Sequence, residues 1–526
     1  MKRSSSSSTP SSSAETPLTR GIALFDRNSD VADAPAARPA PLVVLGGVGA
    51  LGVMALTWKH GPGIGPDSVS FLSAAESVAA GRGYLAYDGT PFLLWPPLLP
   101  SLVALALPLG FAPGEALRAI NAVAFGLVVL CAGLWLRRST RSPRLVFLGA
   151  GAVLVSPVLV RVSTMAWTEP VFILLVLLAL MALRRTLERE ERTAFLAAIL
   201  CSAGAVLTRY IGVAVIAAGV AAFLLWGRGG PARRAVRAAG FAAFSSLPLA
   251  AWLWRNYLVS STLTGDRTWS LLTGARPPLF VSPGVGVVSA GIALLLAAAW
   301  VCIARQRGGA DVRPLALAGL FATFCLGGTL LLASQGASNP VDYRLLAPLY
   351  VPMVLLVSGS PERLAGGLHA PRARRVVGIA VEGGVAALIA ASLAVLYVEG
   401  REMVRRGAGG YATDEWVGSD LVAAVVRTPP PGRIYSNAPE ALSLFGGIRA
   451  APSPSKYVGF SEVVDPESLR AFALRVRTHP EPAYLVWFED APYGSHLYRQ
   501  EELLAELALE PVHVAAHGGV YRIRPR

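Results

Sequence analysis

Long apolar stretches fill most of this chain, and short clusters of arginine separate them. Stretches such as 167–183 and 376–398 exceed the roughly 10–14 apolar residues of a buried soluble helix. With residue 1 placed on the cytoplasmic side, the pattern predicts eleven spans: 41–58, 116–136, 145–162, 169–183, 194–210, 211–226, 238–254, 285–303, 314–333, 345–357 and 376–398. The apolar stretch 98–109 is too short to cross and is expected to pack at the membrane surface. Under this count every basic cluster falls inside, as the positive-inside rule requires. The clusters are Arg137, Arg138, Arg141 and Arg144; Arg184, Arg185, Arg189 and Arg192; Arg228, Arg233, Arg234 and Arg237; Arg305, Arg307 and Arg313; and Arg372, Arg374 and Arg375.

The pattern changes at both ends. Residues 1–40 are rich in Ser, Ala and Pro, cannot bury a core, and read as a disordered cytoplasmic tail. Apolar character starts near residue 41, too late for a cleaved signal peptide, so the first span is expected to stay as an anchor. Residues 41–398 form the membrane region, with a large first external loop at 59–115. Residues 399–526 alternate short helix and strand signals and read as an extracytoplasmic α/β domain. Within it, "GRIYSN" (432–437), "AYLVWFED" (483–490) and "PVHVAAHGGVYRIR" (511–524) are strand-like, and "DEWVGSDLVAAVV" (414–426) is amphipathic. "DPESLRAFALRVR" (465–477) is a helix with Asp465 as cap and Pro466 at its first position. No internal repeat is visible. The fold class expected is thus a multi-spanning all-α membrane protein with a C-terminal α/β domain.

Composition supports the membrane reading. The 526 residues are 53% hydrophobic and only 15% charged, with mean hydropathy +0.52, against roughly 25% charged residues in soluble domains. The net charge of +14 raises the question of nucleic acid. It is spent in clusters between apolar runs, with no basic stripe interleaved with aromatics, so nucleic acid is not an expected partner. Cys131, Cys201, Cys302 and Cys325 all lie in apolar runs without metal-ligand spacing and read as small buried hydrophobes.

The chemistry gathers on the other side. Outside lie Asp67, Tyr84 and Asp88 in the first loop, Trp167 and Glu169 in "TMAWTEP", and Arg209 and Tyr210 in "LTRYIG". Arg255 and Asn256 in "WLWRNY", Arg267 in "TGDRTW", and Asp342, Tyr343 and Arg344 in "NPVDYRLLAP" lie there too. Arginines at outward helix ends run against the positive-inside rule, and charge at the apolar boundary is costly unless it has a function. A guanidinium fork matches phosphate, and a lipid phosphate sits at that height. Phosphate ligands beside a carboxylate base suit group transfer from a lipid phosphate to a hydroxyl. Simpler roles exist for each residue. Asp67 can cap a helix, the glycines of "GRGY" can end one in a left-handed turn, and Glu169 can favour a helix dipole. Arg209 and Arg255 can snorkel to headgroups, and Arg344 with Asp342 can form a surface pair. His60, His479, His496, His513 and His517 lack ligand spacing, and with no external cysteine cluster a zinc site of the usual type is not expected.

In the segment "GPDSVSFLSAAESVAAGRGYLAYDGTPFLLWPP" (65–97), an early external Asp is followed by a helix, "AAGRGY" and "WPPLLP". It resembles the first loop of the GT-C superfamily of membrane glycosyltransferases, the protein-mannosyltransferase-like and aminoarabinose-transferase-like enzymes. "TEPVF", "LTRYIG", "PLAAWLWRNY" and "YRLLAPLY" follow in the family's order, so the resemblance spans residues 41–398. "IYSNAPEALSLFGG" is similar, more loosely, to the external domain of bacterial members. The resemblance implies an inverting transferase of the bacterial cytoplasmic membrane. It would take a sugar from a polyprenyl phosphate and pass it to a glycan, lipid or protein acceptor outside, with Asp67 as general base. Many members carry Asp-Glu at this point; here Ser68 follows Asp67, which leaves the use of a divalent metal open. The alternative is a transporter or flippase of a lipid-linked sugar, which calls for polar residues deep in several spans and broken helices on both sides of the midplane.

Overall fold

The computed structural model describes residues 39–265, 283–305, 313–334, 341–359, 371–457, 463–491 and 496–525. Most of the expected tail and Arg267 lie outside the described residues.

The bundle is built from α1 (Pro39–Leu56), α4 (Pro113–Arg137), α5 (Pro143–Leu154), α6 (Pro157–Thr164), α7 (Glu169–Arg189), α8 (Arg192–Thr208), α9 (Val213–Trp226), α10 (Pro231–Ser260), α11 (Pro283–Arg305), α12 (Arg313–Ser334), α13 (Tyr343–Gly359) and α14 (Pro371–Arg406). Two further helices, α2 (Pro66–Ala79) and α3 (Leu98–Ala106), lie in the first loop. Against the eleven spans expected, six helices among the described residues are long and apolar enough to cross a membrane, or seven if α5 and α6, bent by 44°, count as one span. The bend has a local cause: Pro157 lacks an N–H, and Ser156 restarts the helix by accepting from the Leu159 N–H at 3.3 Å. The stretches α8, α9 and α13 are apolar helices of 17, 14 and 17 residues. A 3-10 turn (Tyr210–Gly212) separates α8 from α9, and α13 carries Pro348 and Pro352 in its interior.

Small residues set the closest packing. A Cβ on Gly46 of α1 would lie 2.8 Å from the Gly126 carbonyl oxygen of α4, and one on Gly126 would lie 2.5 Å from that of Gly46. The two backbones therefore touch where glycine alone fits, the usual device of helices that cannot rely on water to drive them together. The main core, with Trp135, Phe172, Phe223, Phe241 and Phe321 fully buried, runs through the middle of this bundle.

Three of the basic clusters meet at one end. Arg184 at the end of α7 donates to the Arg138 carbonyl at the end of α4, Arg228 donates to the Glu188 carbonyl, and Arg237 of α10 pairs with Glu190. At the opposite end, Arg118 of α4 donates to the Thr57 carbonyl after α1, and Thr164 closing α6 meets Met403 near the end of α14.

Beyond α14, a five-stranded sheet is built from β1 (Arg433–Ser436), β2 (Ala451–Pro452), β3 (Ala483–Phe488), β4 (Leu507–Ala515) and β5 (Gly518–Pro525) in the order β2-β1-β3-β5-β4. β1 is parallel to β2 and β3; β5 is antiparallel to β3 and β4. The helices here are α15 (Asp414–Val417), α16 (Asp420–Arg427), α17 (Pro439–Gly446), α18 (Pro466–Thr478) and α19 (Gln500–Leu503). Asp465 caps α18 as its sequence predicts, accepting from the Ser468 N–H at 3.2 Å. The amphipathic stretch 414–426 is two helices, because Gly418 ends one and Ser419 caps the next.

Candidate active site

Four of the singled-out residues meet at the end of the bundle that carries the first loop. Arg344 is the link. Its Nη1 donates to Asp67 Oδ2 at 2.8 Å and its Nε to Glu169 Oε1 at 2.5 Å. Arg209 pairs with the same Glu169 oxygen and donates to Thr168 Oγ1 at 3.0 Å. The Trp167 ring lies 4.2 Å below the Arg344 guanidinium, a cation–π contact. Glu169 is fully buried, while the Asp67 side chain keeps 29% of its surface exposed. The chain Asp67–Arg344–Glu169–Arg209 is therefore buried at Glu169, partly exposed at both arginines and most exposed at Asp67.

Each member is placed by a local feature. Asp67 sits in the first turn of α2, after Pro66. It is not the cap its sequence position allows: Gly65 holds the cap position, and its N–H donates to Ser68 Oγ at 3.1 Å. The carboxylate is thereby left for Arg344. Glu169 opens α7 beside Pro170, so helix-dipole favour and ion pairing coincide there. Arg209 lies at the break between α8 and the 3-10 turn, where its backbone is extended. Gly212 makes that break tight, since a Cβ there would meet the Ala205 and Val206 backbone at 2.7 Å. Asp342 caps α13, accepting from the Leu345 N–H at 3.0 Å, and burial pushes its carboxyl up against that hydrogen bond. The cap fixes the first turn, and with it Arg344.

Tyr84, Tyr210 and Arg255 serve a second cluster. Arg255 donates to the Phe92 carbonyl at 3.1 Å and the Tyr84 carbonyl at 3.3 Å, and lies 4.9 Å over the Trp252 ring. Tyr84 bonds Ser101 at 2.8 Å and packs edge-on against Trp252. Tyr210 reaches the Leu93 carbonyl at 3.4 Å, and Asn256 donates to the same carbonyl at 3.3 Å. Arg255 and Tyr210 tether the loop through the carbonyls of residues 84–93, and Tyr84 ties it to Ser101. Tyr343 is exposed at the start of α13.

Other functional positions gave weaker sequence signals. Asn121 is fully buried in α4 and donates to the Met165 and Trp167 carbonyls, each at 3.0 Å. It braces the segment leading into Glu169, and a lone amide in an apolar run was the available clue. Gly63 and Glu440 carried no signal. Gly63 pairs with Met165, and Ile64 pairs on its other side with Gly410. A Cβ on Gly63 would overlap the Met165 sulfur.

Among the described residues no group of three His, Cys, Asp or Glu stands close enough to hold a metal ion. The two carboxylates that do converge, Asp67 and Glu169, are bridged by a guanidinium, a donor set that does not fit a divalent cation.

A helical membrane bundle whose long first loop delivers an acid to arginines at one end has the GT-C architecture. The crystal structure of ArnT from Cupriavidus metallidurans bound to undecaprenyl phosphate matches with TM-score 0.60 at 14% identity, covering 92% of this chain and 98% of that one. The apo form of the same enzyme matches with TM-score 0.56 at 15% identity, covering 96% and 98%. Residues 95–254 match the family model described as dolichyl-phosphate-mannose-protein mannosyltransferase. No curated protein matches the chain in sequence. At these identities the likeness establishes the fold, and the chain is an integral membrane protein with the fold of those ArnT structures.

Proposed function

We propose that this chain is an inverting glycosyltransferase that moves a sugar from a polyprenyl phosphate to an acceptor hydroxyl on the outer face of a bacterial cytoplasmic membrane. The acceptor is a glycan, lipid or protein. The observation that carries the reading is the chain Asp67–Arg344–Glu169–Arg209, buried at Glu169 and most exposed at the Asp67 carboxylate. The family description and the lipid phosphate in the ArnT crystal structure support the donor class. In this reading the eleven helical stretches cross the membrane, the N-terminus is cytoplasmic, and residues 399–526 form an outer domain.

The chemistry follows from the geometry. The Asp67 oxygen not engaged by Arg344 takes the proton of the acceptor hydroxyl. The acceptor oxygen then bonds to the anomeric carbon, on the face opposite the phosphate. The carbon–oxygen bond to the phosphate breaks, and its electron pair leaves with the polyprenyl phosphate. Arg344 and Arg209 meet that negative charge with the N–H groups not spent on carboxylates. Glu169 holds both forks in place from below.

The test is transfer from radiolabelled polyprenyl-phosphate sugars in membranes, for the wild type and Asp67→Asn. A general base contributes about 10²–10⁴-fold, and a loss of that size in the variant supports the reading. Undiminished transfer contradicts Asp67 as the base. Movement of labelled lipid across the bilayer without transfer, for every donor, would make the protein a flippase.

A further inference from the structure

Helix α2, which carries Asp67, is held between two bodies. Phe71, Leu72, Ala74 and Ala75 are buried with Leu99 of α3 and with Leu117, Val171 and Trp252 of the membrane bundle. Val69 is buried instead with Tyr411, Trp416, Ala441 and Leu442 of the C-terminal segment. Just before the helix, the backbone runs as the centre of a three-stranded ribbon. On one side Gly63 donates to the Thr164 carbonyl at 2.9 Å and accepts from the Ala166 N–H at 2.8 Å. On the other, Ile64 donates to the Gly409 carbonyl at 3.2 Å and accepts from the Tyr411 N–H at 2.7 Å.

One carboxylate of the C-terminal segment reaches both flanks of this assembly. Glu440, in the first turn of α17, accepts from the Tyr87 hydroxyl of the first loop through Oε1 and from the Tyr411 hydroxyl through Oε2, each at 3.4 Å. These are long bonds for hydroxyl donors, so the bridge has little slack to lose. Burial pushes the Glu440 carboxyl up, the tyrosine bonds pull it down, and the charge on Asp67 adds to the rise, which puts the two carboxyls within each other's field.

We infer that Glu440 is a positioning residue for Asp67. By joining the first loop to the C-terminal segment it holds α2 in the register that sets Asp67 against Arg344. The inference rests on Asp67 as the base. It makes residues 409–446 a wall of the reaction centre, where nothing in their sequence or in the comparisons assigns them a part in the reaction. Glu440 does not touch the reacting atoms. Its loss acts through the place of a carboxylate, and a misplacement of about 1 Å costs on the order of 100-fold in rate.

The experiment uses the full chain in lipid nanodiscs with three readouts: amide hydrogen exchange over residues 66–79, binding of undecaprenyl phosphate, and transfer from a radiolabelled polyprenyl-phosphate sugar. Glu440→Ala is expected to speed exchange over 66–79 and to lower kcat about 10- to 100-fold. Undecaprenyl phosphate binding and donor KM should change less than about twofold, since the arginines are untouched. Glu440→Gln, which can still bridge two hydroxyls, should recover most of kcat. Tyr87→Phe cuts the bridge from the loop side without altering the C-terminal fold, and should move both readouts in the same direction by less. Unchanged exchange over 66–79 in Glu440→Ala and Tyr87→Phe would overturn the inference. So would loss of lipid binding in step with kcat. If Asp67→Asn keeps full transfer while Glu440→Ala still loosens 66–79, the base assignment falls and the bridge stands.

Discussion

Two arginines at the same end of the bundle, Arg344 and Arg255, look alike in sequence. Each stands near a helix end, beside aromatic residues, on the side where positive charge is disfavoured. Their partners separate them. Arg344 gives its donors to two carboxylates from different elements and keeps 16% of its side-chain surface exposed. Arg255 gives its donors to the backbone carbonyls of Tyr84 and Phe92 and lies over Trp252. The first arrangement keeps a charge in play where an anion can reach it. The second spends the charge on fastening a loop. An outward arginine in a membrane protein therefore marks a site only when the elements around it also supply an acid.

Substitutions at the two positions should fall into different classes. After the loss expected for Asp67→Asn, the largest effect should come from Arg344→Lys. A lysine keeps the charge but cannot serve Asp67 and Glu169 at once in fork geometry. Glu169 is fully buried, and breaking a buried pair costs about 3–5 kcal/mol. Thermal melting in detergent should drop accordingly, and transfer should fall with it; a melt equal to wild type would show that the Arg344–Glu169 bond contributes little. Arg255→Ala should act on the loop. Losing hydrogen bonds from a charged donor costs about 1.5–3 kcal/mol, so limited proteolysis within 84–97 should quicken while undecaprenyl phosphate still binds. Lost lipid binding with an intact loop would move Arg255 into the phosphate site.

The smallest effect concerns pH. Tyr87 and Tyr411 bond the Glu440 carboxyl, the charge on Asp67 acts on it, and burial, the largest cause, raises it above its ordinary value near 4.5. Its neutral form is the one the fold favours. That contribution to stability is fully present below the ordinary value and is lost as pH rises through the raised one. The melting temperature of the wild type should therefore fall relative to that of Glu440→Gln as pH rises from about 4 to 8. Parallel melting curves would mean that Glu440 titrates as in the unfolded chain.

Apolar periodicity was enough to place most of the helices, because a bilayer tolerates little else, and three of the arginine clusters marked helix ends that lie together. The acid pair and its arginines were legible as a pool. Their pairing was not, since Asp67, Glu169, Arg209 and Arg344 come from four elements and meet only through packing. A helix cap was the simpler role open to Asp67, and only the structure shows that Gly65 holds the cap position. The ribbon at Gly63 and the bridge at Glu440 were silent: a close approach between distant backbones, and one glutamate in an ordinary helix start, show no pattern along the chain.

The most direct test of the central claim sets Asp67→Asn beside Arg255→Ala in one membrane assay of sugar transfer from a radiolabelled polyprenyl phosphate, scaled to folded protein. The account predicts a loss of about 10²–10⁴-fold for Asp67→Asn and a far smaller loss for Arg255→Ala. Equal losses, or a larger loss for Arg255→Ala, would contradict it.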